Sequence, residues 1–183
     1  EFLGIERMLE RVRCFDRKVR RGNLANAHIV RLEAFYTFYY LMPAHHARTV
    51  YVFFPDPWPK RKHHSHRLFS PLFLDALWER LATGGKLEFA TDHGEYFGEV
   101  EKCFAADPRF TRVEAMARGP DAWTEFETIF RGQGLPIHAA AWRAEAAPEK
   151  ILAPLAVPPE MEPREGITRR DESGCVPREP RAS

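Results

Sequence analysis

Apolar residues come in short runs separated by stretches at helical spacing, and the two alternate along the chain to about residue 145. Phe2 to Ile5 is a brief apolar run that ends in Glu6 and reads as a strand. Met8, Val12, Phe15 and Val19 then recur at helical spacing over residues 7–21, with Gly22 placed to stop the helix. Ala27 to Leu32 predicts a second strand ending in Glu33, and an aromatic segment from Ala34 to Met42 leads to a third over Val50 to Phe54. Ser70 and Pro71 suit the cap and first turn of a helix through Leu81, which Gly84-Gly85 would end. Lys86 to Ala90 is the next strand, with Thr91-Asp92 at its carboxyl end. A helix from about Glu95 to Ala105, a strand near Phe110 to Ala115 and a last pair of elements between Thr124 and Ala144 complete the pattern. Strand and helix in regular succession predict an α/β fold with a doubly wound, mostly parallel sheet.

Past residue 145 the pattern stops. Pro148, Pro154, Pro158, Pro159, Pro163, Pro177 and Pro180 recur among charged and small residues, so residues 146–183 are expected to form a disordered tail beside one domain at 1–145. A chain of 183 residues with 44% hydrophobic and 13% aromatic content has material for one ordinary core. The net charge of +1 hides a local imbalance, because basic residues crowd the first third of the chain. Cys14, Cys103 and Cys175 are widely spaced with no C-x-x-C pair, which argues against a disulfide framework or zinc site and fits a reducing cytoplasm. No apolar run is long enough for a membrane span, and no signal peptide is visible. The opening residues read as the middle of a domain.

The acids fall where strands end. Glu6, Glu33, Asp56 and Asp92 each follow a strand, and parallel strands bring such positions to one edge of a sheet, where open α/β folds bind ligands. A carboxylate there accepts from ribose hydroxyls; the plain alternative for Glu6 and Glu33 is a solvated cap. Asp56 lies in Phe54-Pro-Asp-Pro-Trp-Pro-Lys60, where Pro55, Pro57 and Pro59 stiffen the loop, and its alternative is a turn residue. The run Arg61-Lys-His-His-Ser-His-Arg67 follows directly. It suits nucleic-acid phosphates, with His63, His64 and His66 able to stack on an exposed base. Those histidines lack a carboxylate or cysteine at ligand spacing, so no metal is expected. Arg7, Arg11, Arg13, Arg17, Lys18, Arg20 and Arg21 load the first helix and read first as a solvated face.

The F-P-D-P-W-P-K string with its His/Arg run, then Thr91-Asp92, then Thr124-Glu125-Phe126-Glu127, resembles the bacterial tRNA (guanine-N7-)-methyltransferase family, and Phe2 to Glu6 looks like that family's second strand. The resemblance runs from residue 1 to about 145 and implies a class I, Rossmann-like fold. It implies a cofactor, S-adenosylmethionine, and a substrate, N7 of a guanine in the variable loop of tRNA. It further implies a catalytic role for Asp56, cofactor contacts at Glu6, Glu33 and Asp56, and substrate contacts at Lys60, Asp92, Thr124, Glu125, Phe126 and Glu127. RNA contacts are implied at Lys62, His63, His64, Ser65, His66 and Arg67. Glu33 departs from the expected Asp by one methylene, and Thr124 with Glu127 reads equally as a capping box. No glycine-rich loop of the kind that cradles a cofactor is present, so the chain is expected to lack that family's first strand and loop, with activity in the full-length form. Alternatives are an RNA-binding module that has lost the cofactor, a different Rossmann-like methyltransferase, and a plain nucleotide-binding domain.

Overall fold

A computed structural model describes residues 1–145; the proline-rich segment lies outside the described residues. Strand β1 (Phe2–Ile5) crosses through helix α1 (Leu9–Arg21) to β2 (Ala27–Val30), and the two strands pair in parallel from Phe2↔Ala27 to Ile5↔Val30. The chain then makes one helical turn, α2 (Ala34–Tyr36), which widens into a π-turn over Thr37–Leu41. Phe38 and Tyr39 are buried there, so the aromatic segment is core, as its composition suggested. The following strand, β3 (Ala47–Phe53), opens a second sheet with helix α3 (Pro71–Arg80), strand β4 (Leu81–Thr91), helix α4 (Gly94–Ala105), strand β5 (Phe110–Val113), helix α5 (Glu125–Gly132) and strand β6 (His138–Ala144).

That sheet has the order β3-β4-β6-β5. Strands β3 and β4 are parallel, and β6 is antiparallel to both β4 and β5, so β6 alone opposes its neighbours. The sheet is therefore parallel in its main direction with one reversed strand. The reversal follows from the return through α5, which fills the slot between β4 and β5 without a second crossover. Central strand β4 is covered on both faces, and from Leu87 to Thr91 every residue is buried. Its Phe89 meets Phe69, Tyr96, Phe97 and Trp142, while Phe104 of α4 stacks on Trp142 at 4.1 Å and meets Phe110 edge-on at 5.0 Å.

Two expectations are corrected. Gly84-Gly85 does not end a helix: α3 stops at Arg80, and both glycines lie inside β4. They form a bulge, because pairing jumps from Ala47↔Leu81 to Thr49↔Lys86. Gly84 has φ +73°, and a Cβ on Gly85 would fall 2.8 Å from the Ala82 carbonyl oxygen, so the bulge needs glycine at both positions. The third strand also begins earlier than its apolar run, at Ala47, because β4 supplies a partner for that polar stretch. Helix α1 contributes no fully buried side chain, and Phe2 and Leu3 on β1 are exposed. Among the described residues, no helix is long and apolar enough to cross a membrane.

Phe104 touches Phe69, Phe110 and Trp142 and is buried, so its truncation leaves a cavity in the main core. Phe104→Ala should cost about 3–5 kcal/mol, read as a lower urea midpoint at unchanged slope.

Candidate active site

The carboxyl ends of β3 and β4 are side by side. Phe53 pairs with Ala90 and the Phe54 amide donates to the Ala90 carbonyl at 2.8 Å, so Asp56 and Asp92 follow neighbouring strand tips in a shared register. Asp56 is exposed and Asp92 half-buried. No hydrogen bond or ion pair occupies either carboxylate among the described residues, so both stand ready to accept.

Glu6 and Glu33 are already engaged. Glu6 follows β1, accepts from the Met8 amide at 2.7 Å and has Arg11 Nη1 3.5 Å from its other oxygen. Glu33 caps α2: one oxygen accepts from the Phe35 amide at 3.0 Å, the other from Tyr36 at 2.7 Å. The cap reading of Glu33 is thus what its geometry displays, and a longer acid than Asp suits it by reaching two amides.

Contacts between rings join the β1 tip to the β3 tip. The Arg11 guanidinium that faces Glu6 also sits 5.0 Å over the ring of Phe126 on α5. Phe126 stacks on Phe130 at 6.0 Å, and Phe130 meets Phe54 at 5.4 Å, two residues before Asp56. Lys18 of α1 pairs with Glu125, whose carboxyl this partner holds below its ordinary range. Part of the basic face of α1 therefore grips the first turn of α5, a contact the solvated-face reading of Arg11 and Lys18 did not anticipate.

Thr124 caps α5, its Oγ1 accepting from the Glu127 amide at 3.1 Å. The capping box is half made, because Glu127 turns inward. Its carboxylate is 1% exposed and takes Arg131 at 2.9 and 3.1 Å; Nη1 of Arg118 lies 2.6 Å away but off the hydrogen-bonding direction, an ion pair without a directed bond. Arg118 in turn lies 4.1 Å over the Phe53 ring. Of the Thr124–Glu127 string, Glu125 and Phe126 are at the surface, whereas Glu127 holds the helix start against the β3 tip.

The loop after β3 is strained as well as stiff. Phe54 has φ +54° and Trp58 φ +42°, and each immediately precedes a proline. Bulky residues rarely enter this region, at a cost of about 1–3 kcal/mol each. The basic run forms a 3₁₀ turn over Arg61–His66. Lys60, Arg61, Lys62, Ser65 and His66 are exposed, and His63 is parallel to the Trp58 ring at 5.7 Å, with His66 5.1 Å from the same indole. Arg67 does not join them, which corrects its reading as an RNA contact. Its side chain is 4% exposed, donates from Nε to the Pro57 carbonyl at 2.7 Å and to the Trp58 carbonyl at 3.4 Å, pairs with Glu99 of α4, and lies 5.0 Å over the Tyr96 ring. Burial pushes the Tyr96 phenol up to about 12, so that ring stays neutral beneath the cation. Sequence reasoning missed Glu99, Arg118 and the inward turn of Arg67; the adjacent apolar pair Leu68-Phe69 was the available signal that the basic run dives into the core at that point.

A family model described as "Putative methyltransferase" matches residues 1–140. A tRNA (guanine-N(7)-)-methyltransferase of Halorhodospira halophila is 34% identical over 128 residues, 67% of this chain and 55% of that protein. The protein of the same name from Thermotoga maritima is 33% identical over 136 residues, 73% of this chain and 43% of that one. The chain thus spans about half the length of the curated relatives it matches. Among solved structures, NSun6 from Pyrococcus horikoshii with SFG superposes with a TM-score of 0.53 at 17% identity, covering 80% of this chain and 42% of that one. A SAM-dependent O-methyltransferase from Thermotoga maritima gives 0.50 at 15%, covering 81% and 51%. At those identities the likeness is one of fold.

Removing one partner from the buried Arg118–Glu127 pair leaves the other charge uncompensated. Glu127→Ala should destabilise the domain by about 3–5 kcal/mol, and the double variant Arg118→Met/Glu127→Leu should recover most of it, as read in denaturant melts.

Proposed function

The chain belongs to the methyltransferase family whose model covers residues 1–140, and from that premise we propose that it takes part in transferring a methyl group from S-adenosylmethionine to N7 of a guanine in the variable loop of tRNA. The observation that carries this reading is the pair of uncommitted carboxylates, Asp56 and Asp92, at adjacent strand tips beside an exposed basic turn. The names of the relatives supply the substrate class.

Guanine N7 is an sp² nitrogen with a free lone pair and no proton, so methylation there needs no general base. Orientation and electrostatics must lower the barrier instead, and orientation alone supplies roughly 7–11 kcal/mol in favourable cases. Asp92 is assigned to the base: a carboxylate accepts from guanine N1–H and N2–H together, a pattern adenine does not offer. Asp56 is assigned to the charge that builds on the purine as the new bond forms, which a nearby carboxylate stabilises. Lys60 sits at the mouth of the same loop, and exposed Arg61 and Lys62 suit the phosphates, with His66 and the Trp58–His63 stack beside them.

When bound, S-adenosylmethionine supplies an activated methyl on a sulfonium. Glu6 fits the cofactor's ribose, because one of its oxygens is engaged only by Arg11 at 3.5 Å and can accept a hydroxyl. Glu33 fits less well, since both of its oxygens already hold backbone amides. We place the reaction in the cytoplasm, where unpaired Cys14 and Cys103 are at home.

The test is transfer of labelled methyl from S-adenosylmethionine to unmodified tRNA, followed by mapping of the modified base. Label should appear at N7 of one variable-loop guanine, and Asp56→Asn should lower single-turnover transfer by orders of magnitude while the fold persists. A near-wild-type rate in that variant would remove Asp56 from the mechanism, and tRNA binding without any cofactor response would support an RNA-binding module instead.

A further inference from the structure

The strained loop around Asp56 has to be held in place by something, and the contacts that hold its two ends are different in kind. At Phe54 the hold is a ladder bond to Ala90 and ring packing on Phe130. At Trp58 it is Arg67 alone among charged groups, reaching the carbonyls on either side of the Pro57–Trp58 peptide link from a buried position. Arg67 is itself fixed from α4, by Glu99 and by the face of Tyr96. His64 stands 3.9 Å from the other Glu99 oxygen, with its Nε2 buried and unpartnered.

We propose that Arg67 and Glu99 are positioning residues which, through the carbonyls of Pro57 and Trp58, keep the loop in its strained conformation and so fix where the Asp56 carboxylate stands. Two left-handed residues before prolines relax to extended backbone unless the surroundings over-determine them. Relaxation at Trp58 would shift Asp56, two residues earlier, and a displacement near 1 Å costs on the order of 100-fold in a positioned reaction. The Arg67 charge is spent inside the protein, so it contributes nothing to phosphate neutralisation. The catalytic half of this inference rests on the function proposed above; the structural half does not.

Two readouts separate them. Trp58 emission, isolated by subtracting the spectrum of Trp58→Phe because the chain has four tryptophans, is quenched by acrylamide in proportion to its exposure. Glu99→Ala and Arg67→Met should both make Trp58 markedly easier to quench, slow single-turnover methyl transfer toward the order of 100-fold, and leave tRNA affinity and its salt dependence unchanged, with Arg67→Lys in between. If Arg67 contacted phosphate, Arg67→Met would lower the log–log salt slope by roughly 0.7 to 0.9, and that result would overturn the proposal. Unchanged Trp58 quenching in Glu99→Ala would also overturn it. Glu99 is 41% exposed on its side chain, so its truncation is a safe second variant should Arg67→Met fail to fold. Should the wild-type chain transfer no methyl, the function proposed above fails and the quenching result still decides whether Arg67 and Glu99 set the loop.

Discussion

Parallel pairing of β3 with β4 is the constraint from which the site follows. Because Phe53 lies opposite Ala90, whatever comes next on either strand is delivered to the same end of the sheet, and what comes next is an aspartate in each case. The bulge at Gly84-Gly85 serves that register, absorbing the extra residues of β4 at the far end of the ladder so that the end near the site pairs without a slip. Two carboxylates without partners, brought to one edge, are costly only if water is excluded; at the surface they are a ready acceptor pair.

Around that edge the charged groups divide by function. Arginines that face inward, at 67 and 118, lie against aromatic rings and pair with Glu99 and Glu127, so they hold backbone and helix in place. Basic side chains that face outward, at 60, 61 and 62, have no printed partner within the fold and suit a polyanion. A third group bridges elements: Arg11 and Lys18 connect α1 to α5 through Phe126 and Glu125, and the chain of rings from Phe126 through Phe130 to Phe54 ties the β1 tip to the β3 tip. The acid at Glu6 and the acid at Asp56 therefore border one neighbourhood although their strands belong to different sheets.

Much of this was legible from residue pattern alone. Runs of two periods place β1, α1, β4 and α4 within a residue or a few of their observed bounds, because each has an apolar face that repeats with the element. Strand-tip acids were legible for the same reason. Gly84-Gly85 misled because a glycine pair serves a helix stop and a β-bulge equally well, and only the partner strand decides which. The reversal of β6 is a property of topology, which local spacing does not encode. Arg67 misled because a basic run looks uniform in sequence, whereas folding buries its last member beside Phe69 and leaves its first members in water. Glu127 misled in a similar way: the string that caps a helix can also bury its acid if an arginine waits behind it, and Arg118 lies nine positions upstream.

The central claim is that Asp56 and Asp92 act on one bound base, and a double-mutant cycle on single-turnover transfer addresses it most directly. Asp56→Asn, Asp92→Asn and the double variant are compared with the wild type at saturating tRNA. Residues that act as a unit give losses that fall well short of adding, with a coupling of about 0.5–3 kcal/mol. That shortfall is the predicted result; strictly additive losses, within about 0.3–0.5 kcal/mol, would mean the two carboxylates serve separate sites and would contradict the account.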